Sequence, residues 1–200
     1  MARFIDSVTL AGRKIALLEP MRLEHADELL EAARDGELWE LWYTSVGGGA
    51  GITDYVESAL RMRDEHGALP FTVRRQEDGK VVGSTRFFNV DEKNRRLEIG
   101  HTWYSQSMQR TALNTECKLV LLEHAFEKLN CIAVEFRTHW FNFDSRAAIA
   151  RLGAKQDGVL RNHQIMPNGT LRDTVVFSII QSEWPTVKAH LRWQLKKPRA

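Results

Sequence analysis

Arg96-Leu-Glu-Ile-Gly-His-Thr-Trp-Tyr-Ser-Gln-Ser-Met-Gln-Arg-Thr-Ala-Leu-Asn-Thr-Glu116 decides the reading of this 200-residue chain. Its first half alternates. Leu97, Ile99, His101 and Trp103 fall on one side, and Glu98, Gly100 and Thr102 on the other, as in an antiparallel strand. Gly100 is read as the mark of a bulge. The second half is a polar loop that runs into the clearest helical pattern of the chain, residues 115–129, where Leu119, Leu122, Phe126 and Leu129 share a stripe. A loop feeding a helix start exposes backbone N–H groups with no intrahelical partner, and the helix dipole adds partial positive charge there. Together they form an anion cradle suited to a pyrophosphate. Thr111, Ala112 and Asn114 are small or polar enough to let a ligand approach the backbone, and Arg110 adds a positive charge.

Working outward, residues 14–18 form a short strand and residues 23–33 an amphipathic helix. Thr53 caps a second helix that carries Val56, Ala59, Leu60 and Met62. Residues 71–74 and 81–90 are strands joined by an Asp78-Gly79 hairpin turn. Downstream come a strand at 133–139 and a helix at 142–152, started by Asn142 or Asp144 and ended at Gly153. Strands at 155–166 and 171–180 flank Pro167-Asn-Gly-Thr170, and a last helix begins near Ser182-Glu-Trp-Pro185. The order, β-α-α-β-β-β-α-β-α-β-β-α, predicts an α/β chain built on a mixed sheet with helices on both faces. Thr44-Ser-Val-Gly-Gly-Gly-Ala-Gly51 reads as a mobile loop within the domain. Beside it, Trp39, Trp42 and Tyr43 either anchor that loop to the core or line a pocket; anchoring is the favoured reading.

Composition narrows the classes. Apolar residues are 43%, charged residues 27% and the net charge +2, which excludes a disordered chain, a collagen-like fibre and a disulfide scaffold. The expectation is one domain over 1–200, with a core at about 13–184 and a basic helix or tail at 185–200. Apolar runs fall far short of the ~20 residues needed to cross a bilayer, and the first residues show no secretory apolar stretch. A cytoplasmic protein without a membrane partner is expected. The balanced charge argues against a nucleic-acid partner; Arg192, Lys196, Lys197 and Arg199 read as a solvated helix end and tail. Cys117 and Cys131 lack metal-ligand spacing and are read as small core residues. No metal is expected.

Glu98-Ile-Gly-His-Thr-Trp103, Gln109-Arg-Thr-Ala-Leu-Asn-Thr-Glu116, Asn142-Phe-Asp-Ser145 and Ala148-Ile-Ala-Arg-Leu-Gly-Ala154 together resemble the GNAT superfamily of N-acetyltransferases. More narrowly they resemble the branch that includes the ribosomal-protein alanine N-acetyltransferases. The resemblance implies the acyl-CoA N-acyltransferase fold, with a mostly antiparallel central sheet. It also implies acetyl-CoA as co-substrate and direct transfer to a primary amine. The family's phosphate loop is Gln/Arg-x-x-Gly-x-Gly/Ala. Here Gln109 matches, Ala112 replaces the central Gly and Asn114 replaces the last position. Ala112 is compatible with the role if its φ is negative. Residues Gln109, Arg110, Thr111, Ala112, Leu113 and Asn114 are thereby the candidate cofactor grip.

Direct transfer makes three demands. A base must take the amine proton; Glu98, where relatives often carry Glu, is the first candidate, with His101 and Asp173 behind it. The alternative for Glu98 is a structural carboxylate paired to Arg86 or Arg96. The carbonyl oxygen needs a donor, read as a backbone N–H at Thr102 or Trp103. The leaving thiolate needs a proton or a dipole, which assigns Ser145, with Asn142 on the pantetheine arm; the alternative is a helix cap made by that pair. Phe87, Phe88, Trp140, Phe141 and Phe143 are read as core or as lining of the cofactor arm. The acceptor is a protein N-terminus, an amino acid or a small-molecule amine, and Glu37, Glu40 and Asp173 could attract it. The runner-up function is a non-catalytic acyl-CoA-binding module of the same fold, and a third is an RNA-associated binder using the basic tail. A homodimer through a strand edge or helix face is an open expectation.

Overall fold

The computed structural model describes residues 4–40 and 51–197. Its elements are β1 (Leu10–Ala11), β2 (Ala16–Pro20), α1 (Ala26–Arg34), α2 (Gly51–His66), β3 (Leu69–Arg75), β4 (Val81–Asp91), β5 (Arg96–Tyr104), α3 (Leu113–Glu127), β6 (Ala133–His139), α4 (Phe143–Arg151), β7 (Lys155–Ile165), β8 (Leu171–Ile180) and α5 (Trp184–Lys196). The strands form one mixed sheet in the order β1-β2-β3-β4-β5-β6-β8-β7. Every neighbouring pair is antiparallel except β5–β6. A parallel pair requires a long crossover, and α3 provides it.

Helices cover both faces. Leu97, Ile99, Phe136 and Val134 pack with Leu119, Leu121 and Leu122 of α3 and with Val187 and Leu191 of α5 in the larger core. Met21, Val81 and Trp103 pack with Leu29 and Ala33 of α1 and Val56 and Ala59 of α2 on the other face. Burial of such a side chain contributes roughly 1.5–3 kcal/mol. α3 is buried on most of its circumference rather than on one stripe, because α5 closes over its outer side; Phe126 stacks on Trp184 with ring centroids 5.2 Å apart. Both cysteines are buried free thiols.

The alternation expected along β5 breaks after Gly100. Arg86 is in register with Gly100 and Ser84 with Trp103, so His101 and Thr102 together face the single residue Thr85. That is a bulge, and His101 takes a positive φ of 48° within it. Trp103 therefore lies on the opposite face from Leu97 and Ile99, correcting the expected alternation. Other boundaries move by a residue or two. α2 begins at Gly51, which puts Thr53 inside its first turn rather than at its cap. Trp39 is half-buried against the smaller core, as the anchoring reading requires. Trp42, Tyr43 and the glycine stretch up to residue 50 lie outside the described residues.

A contact with no local sequence pattern ties the first strands to the crossover helix. The buried Glu116, in the first turn of α3, accepts hydrogen bonds from the amides of Arg13 (3.1 Å), Lys14 (3.2 Å), Ile15 (2.7 Å) and Ala16 (2.8 Å). A Cβ on Gly12 would lie 2.3 Å from the same carboxylate. Charge-assisted bonds of this kind contribute about 1.5–3 kcal/mol each and are not additive. Glu116→Ala should therefore cost about 3 kcal/mol or more, which at this chain length lowers Tm by roughly 6–12 °C. A thermal melt within 2 °C of wild type would show that the clamp does not carry this load.

Candidate active site

β5 and β6 pair only at Arg96↔Ala133, Leu97↔Val134 and Glu98↔Glu135. Beyond these residues, β5 continues to Tyr104 against β4 and β6 continues to His139 against β8. The two strands have no ladder between them there, so the sheet opens. α3 follows one of the parted strands and α4 follows the other. Both helix N-termini therefore stand at the same end of the opening, each with exposed amide donors and positive dipole.

At the α3 side, Thr111 Oγ1 donates to the Met108 carbonyl (2.7 Å) and accepts from the Leu113 amide (3.2 Å). Gln109 Nε2 donates to the Tyr104 carbonyl at 3.1 Å, fixing the loop to the end of β5. Ala112 has φ −75°, so this loop has no need of glycine at the family's central position. Arg110 instead holds the positive φ, at 59°. The amides of Thr111, Ala112 and Asn114 have no acceptor in the loop or helix, and all three residues are only half-buried. Asn114 Oδ1 is buried without a partner; a side-chain amide there can turn either its oxygen or its nitrogen to a ligand. Arg151, from the end of α4, reaches Thr115 Oγ1 at 3.1 Å and brings a second cation to this turn. Free amides, a dipole and two arginines fit a diphosphate. Leu113 is fully buried and its amide is engaged by Thr111 Oγ1, so it presents neither side chain nor free donor to the turn.

The bulge sits on the β5 wall. Thr102 Oγ1 is 2.7 Å from Thr85 Oγ1 and accepts from Lys118 Nζ at 2.7 Å, which also reaches Thr85 at 3.4 Å. Lys118 is buried, and desolvation lowers its pKa to about 8. Trp103 is back in register with Ser84, and its indole donates to Tyr55 Oη at 3.1 Å. Of the two backbone donors expected for a carbonyl oxygen, Thr102 lies in the bulge and Trp103 in the regular ladder.

Glu98 is buried on the other face of β5. Its Oε2 accepts from Asn89 Nδ2 at 2.9 Å and lies 3.5 Å from Arg137 Nε. Its ionic partner is thus Arg137, not Arg86 or Arg96; Arg96 pairs with Glu135. Burial raises the Glu98 pKa, outweighing the Asn89 hydrogen bond and the Arg137 charge. Because of the bulge, His101 is no longer set opposite Glu98; its ring packs edge-on to Phe88, 4.9 Å away. Desolvation, then the Arg86 and Arg172 charges, lowers its pKa from the usual histidine value. Asp173 is occupied by the Asn162 amide (2.7 Å) and Arg161 (2.5 Å), which keep its carboxyl below the ordinary range.

At the α4 side, Asn142 Oδ1 accepts from the Ser145 amide at 3.0 Å as the N-cap. The cap expected as an alternative therefore exists, made by the Asn142 side chain on the Ser145 backbone. Ser145 Oγ has no hydrogen-bond partner among the described residues. Phe141 and Phe143 are exposed at 57% and 62%, which corrects their reading as core; Phe87 is core. No helix among the described residues is long and apolar enough to cross a membrane.

The fold recurs in known proteins. The acetyltransferase (GNAT) domain family matches residues 16–155. The chain belongs to the GNAT acetyltransferase family. It is 31% identical over 107 residues to "Putative ribosomal N-acetyltransferase YdaF" of Bacillus subtilis, covering 54% of this chain and 57% of that relative; the match thus spans little more than half of that protein. A GCN5-related N-acetyltransferase from Brucella melitensis superposes with a TM-score of 0.84 at 28% identity, over 96% of this chain and 86% of the other. RimJ of Mycobacterium smegmatis, solved with CoA-disulfide, shares the fold at 21% identity and a TM-score of 0.78, over 94% and 95% of the two chains.

Reading the residues alone missed Lys118, Arg137 and Arg151 in this GNAT site. Lys118 carried a signal: it sits four residues before Leu122, on the apolar stripe of α3, where a charge has no reason to be unless it is used. Its depressed pKa has a measurable sign. The unfolded lysine binds its proton up to about pH 10.4, the folded one only to about pH 8. Between those values the unfolded state holds more protons, so this group makes stability rise with pH. Lys118→Met should remove this rising contribution, so that its Tm drops progressively relative to wild type from about pH 8 to about 10.5. Parallel curves would place Lys118 in water-like surroundings.

Proposed function

We propose that this GNAT chain transfers an acetyl group from acetyl-CoA directly to a primary amine. The observation that carries the reading is the parting of β5 and β6 after Glu98 and Glu135, with unengaged α3 amides at its end. Acetyl-CoA, when bound, supplies a thioester whose carbonyl carbon takes the amine nitrogen while the carbon–sulfur bond breaks, giving amide and free thiol.

The amides of Thr111, Ala112 and Asn114, with Arg110 and Gln109 in the same turn, hold the diphosphate. Asn142 keeps its Nδ2 for the pantetheine arm while its Oδ1 caps α4. The Thr102 amide, pushed out of the β4 ladder by the bulge and backed by the Lys118 ammonium, donates to the carbonyl oxygen as charge develops. Glu98 takes the amine proton directly or through water; its raised pKa makes it a stronger base than an exposed carboxylate. Ser145 Oγ passes a proton to the departing sulfur at the positive end of α4 and regains one from solvent water, so that free thiol leaves and the hydroxyl is restored. The relative named as a ribosomal N-acetyltransferase makes a protein N-terminus one candidate acceptor beside amino acids and small-molecule amines.

Acetyl-CoA at about a hundred times its Kd should stabilise the fold by about 2.7 kcal/mol, which raises Tm by roughly 5–11 °C; no shift at millimolar concentration would refute the cradle. Glu98→Gln should cut turnover on an amine acceptor at least tenfold at pH 7 and recover part of it near pH 10, where the amine is neutral without help. Equal loss at both pH values would remove Glu98 as base. Ser145→Ala should lower kcat with little change in acetyl-CoA affinity; the reverse pattern would assign the hydroxyl to binding.

A further inference from the structure

Among the described residues, Arg86 is a buried cation without a counter-ion. It lies on β4 in register with Gly100, beside the bulge and on the same face as Glu98. Only 2% of it is exposed. Its Nη1 meets Met62 Sδ at 3.1 Å, a weak acceptor, and its guanidinium carbon lies 5.4 Å from the centre of the Tyr55 ring. Its Nε is buried with no hydrogen-bond partner. No carboxylate among the described residues is within ion-pairing distance, and residues 41–50 contain no acidic side chain. An arginine cannot shed its proton, so a charge held this way costs stability unless an anion completes it.

Arg86 borders an open cleft of about 300 Å³ between α2 and the sheet, lined also by Asp54, Tyr55, Ser58, Met62 and His101. Its size suits a small molecule at the lower end of the range for ligand sites. His101 also lines the cleft and Asp54 is exposed at its rim; Arg86 is the lining residue whose positive charge is permanent. Glu98 lies two residues from Gly100 on the same strand face, a separation of roughly 7 Å. The Phe88 ring covers Gly100 between Arg86 and Glu98, so an acceptor held by Arg86 must pass its nitrogen beside that ring to meet the proposed base.

We infer that the acceptor is a small amine carrying a carboxylate, an amino acid or a close analogue, whose carboxylate pairs with Arg86. This rests on the amine-transfer reading and adds the acceptor class to it. The Asp54 carboxylate at the rim opposes stray anions and favours an acceptor that brings a positive amine together with its carboxylate.

The test uses matched pairs: amino acids against the same molecules with the carboxylate removed or amidated, with thiol release as readout at saturating acetyl-CoA. Wild type should prefer the carboxylate member by tenfold or more in kcat/KM. Arg86→Met should erase the preference mainly through KM, and Arg86→Lys should retain part of it. Acetyl-CoA thermal shifts report whether each variant is folded. A second arm needs no turnover: the N-acetylated amino acid should raise the Tm of wild type and not of Arg86→Met. Equal use of both members of each pair, or a preference that survives in Arg86→Met, overturns the assignment. If no amine is acetylated but the N-acetyl amino acid still stabilises wild type alone, the transfer reading fails while the anion site stands.

Discussion

Two neighbouring parallel strands that separate after three paired residues impose most of what this fold does. Parallel neighbours in a sheet need a helical crossover, so α3 must lie across the larger core. Because β5 and β6 part beyond Glu98 and Glu135, the sheet has an opening at its centre instead of at an edge. The helices that follow the two strands both start at that opening. A donor-rich, positively polarised end is thus aimed at one point from each side. The bulge adds the remaining element, since a regular β5 would turn the Thr102 amide and hydroxyl to different neighbours.

The polar groups buried around this opening are satisfied in three different ways. Glu116 is satisfied by three amides of the chain between β1 and β2 and by that of Ala16, the first residue of β2. Lys118 is satisfied by two threonine hydroxyls and carries a depressed pKa for want of a carboxylate. Arg86 is left incomplete. These groups lie on two elements, Glu116 and Lys118 on α3 and Arg86 on β4. The region of greatest electrostatic cost coincides with the region assigned to chemistry, where such costs are usually tolerated.

Much of this was legible in the residues. The bounds of β6 and β8 follow from their apolar runs, and α4 from its Asn142 start and Gly153 end. Short-range patterns carried those elements. The turn from loop into α3 was legible too, even with Ala112 in place of glycine, because a polar loop entering an apolar helix signals itself. What failed to show was long-range. The Glu116 partners are 100 to 103 residues away. A bulge reverses alternation without altering composition, so Trp103 was set on the wrong side and His101 opposite Glu98. The ion partner of Glu98 is on β6, a pairing that only the strand order reveals. Exposed Phe141 and Phe143 misled because apolar type alone says nothing about burial.

The two sulfhydryls of the chain have a practical meaning for the chemistry assigned to it. Burial pushes Cys117 up to about 12 and Cys131 to about 11, and neither side chain is solvent-accessible. Reagents that report free sulfur react with the ionised form. The folded polypeptide is therefore nearly silent to them, and a colour change during turnover counts the liberated coenzyme rather than the catalyst.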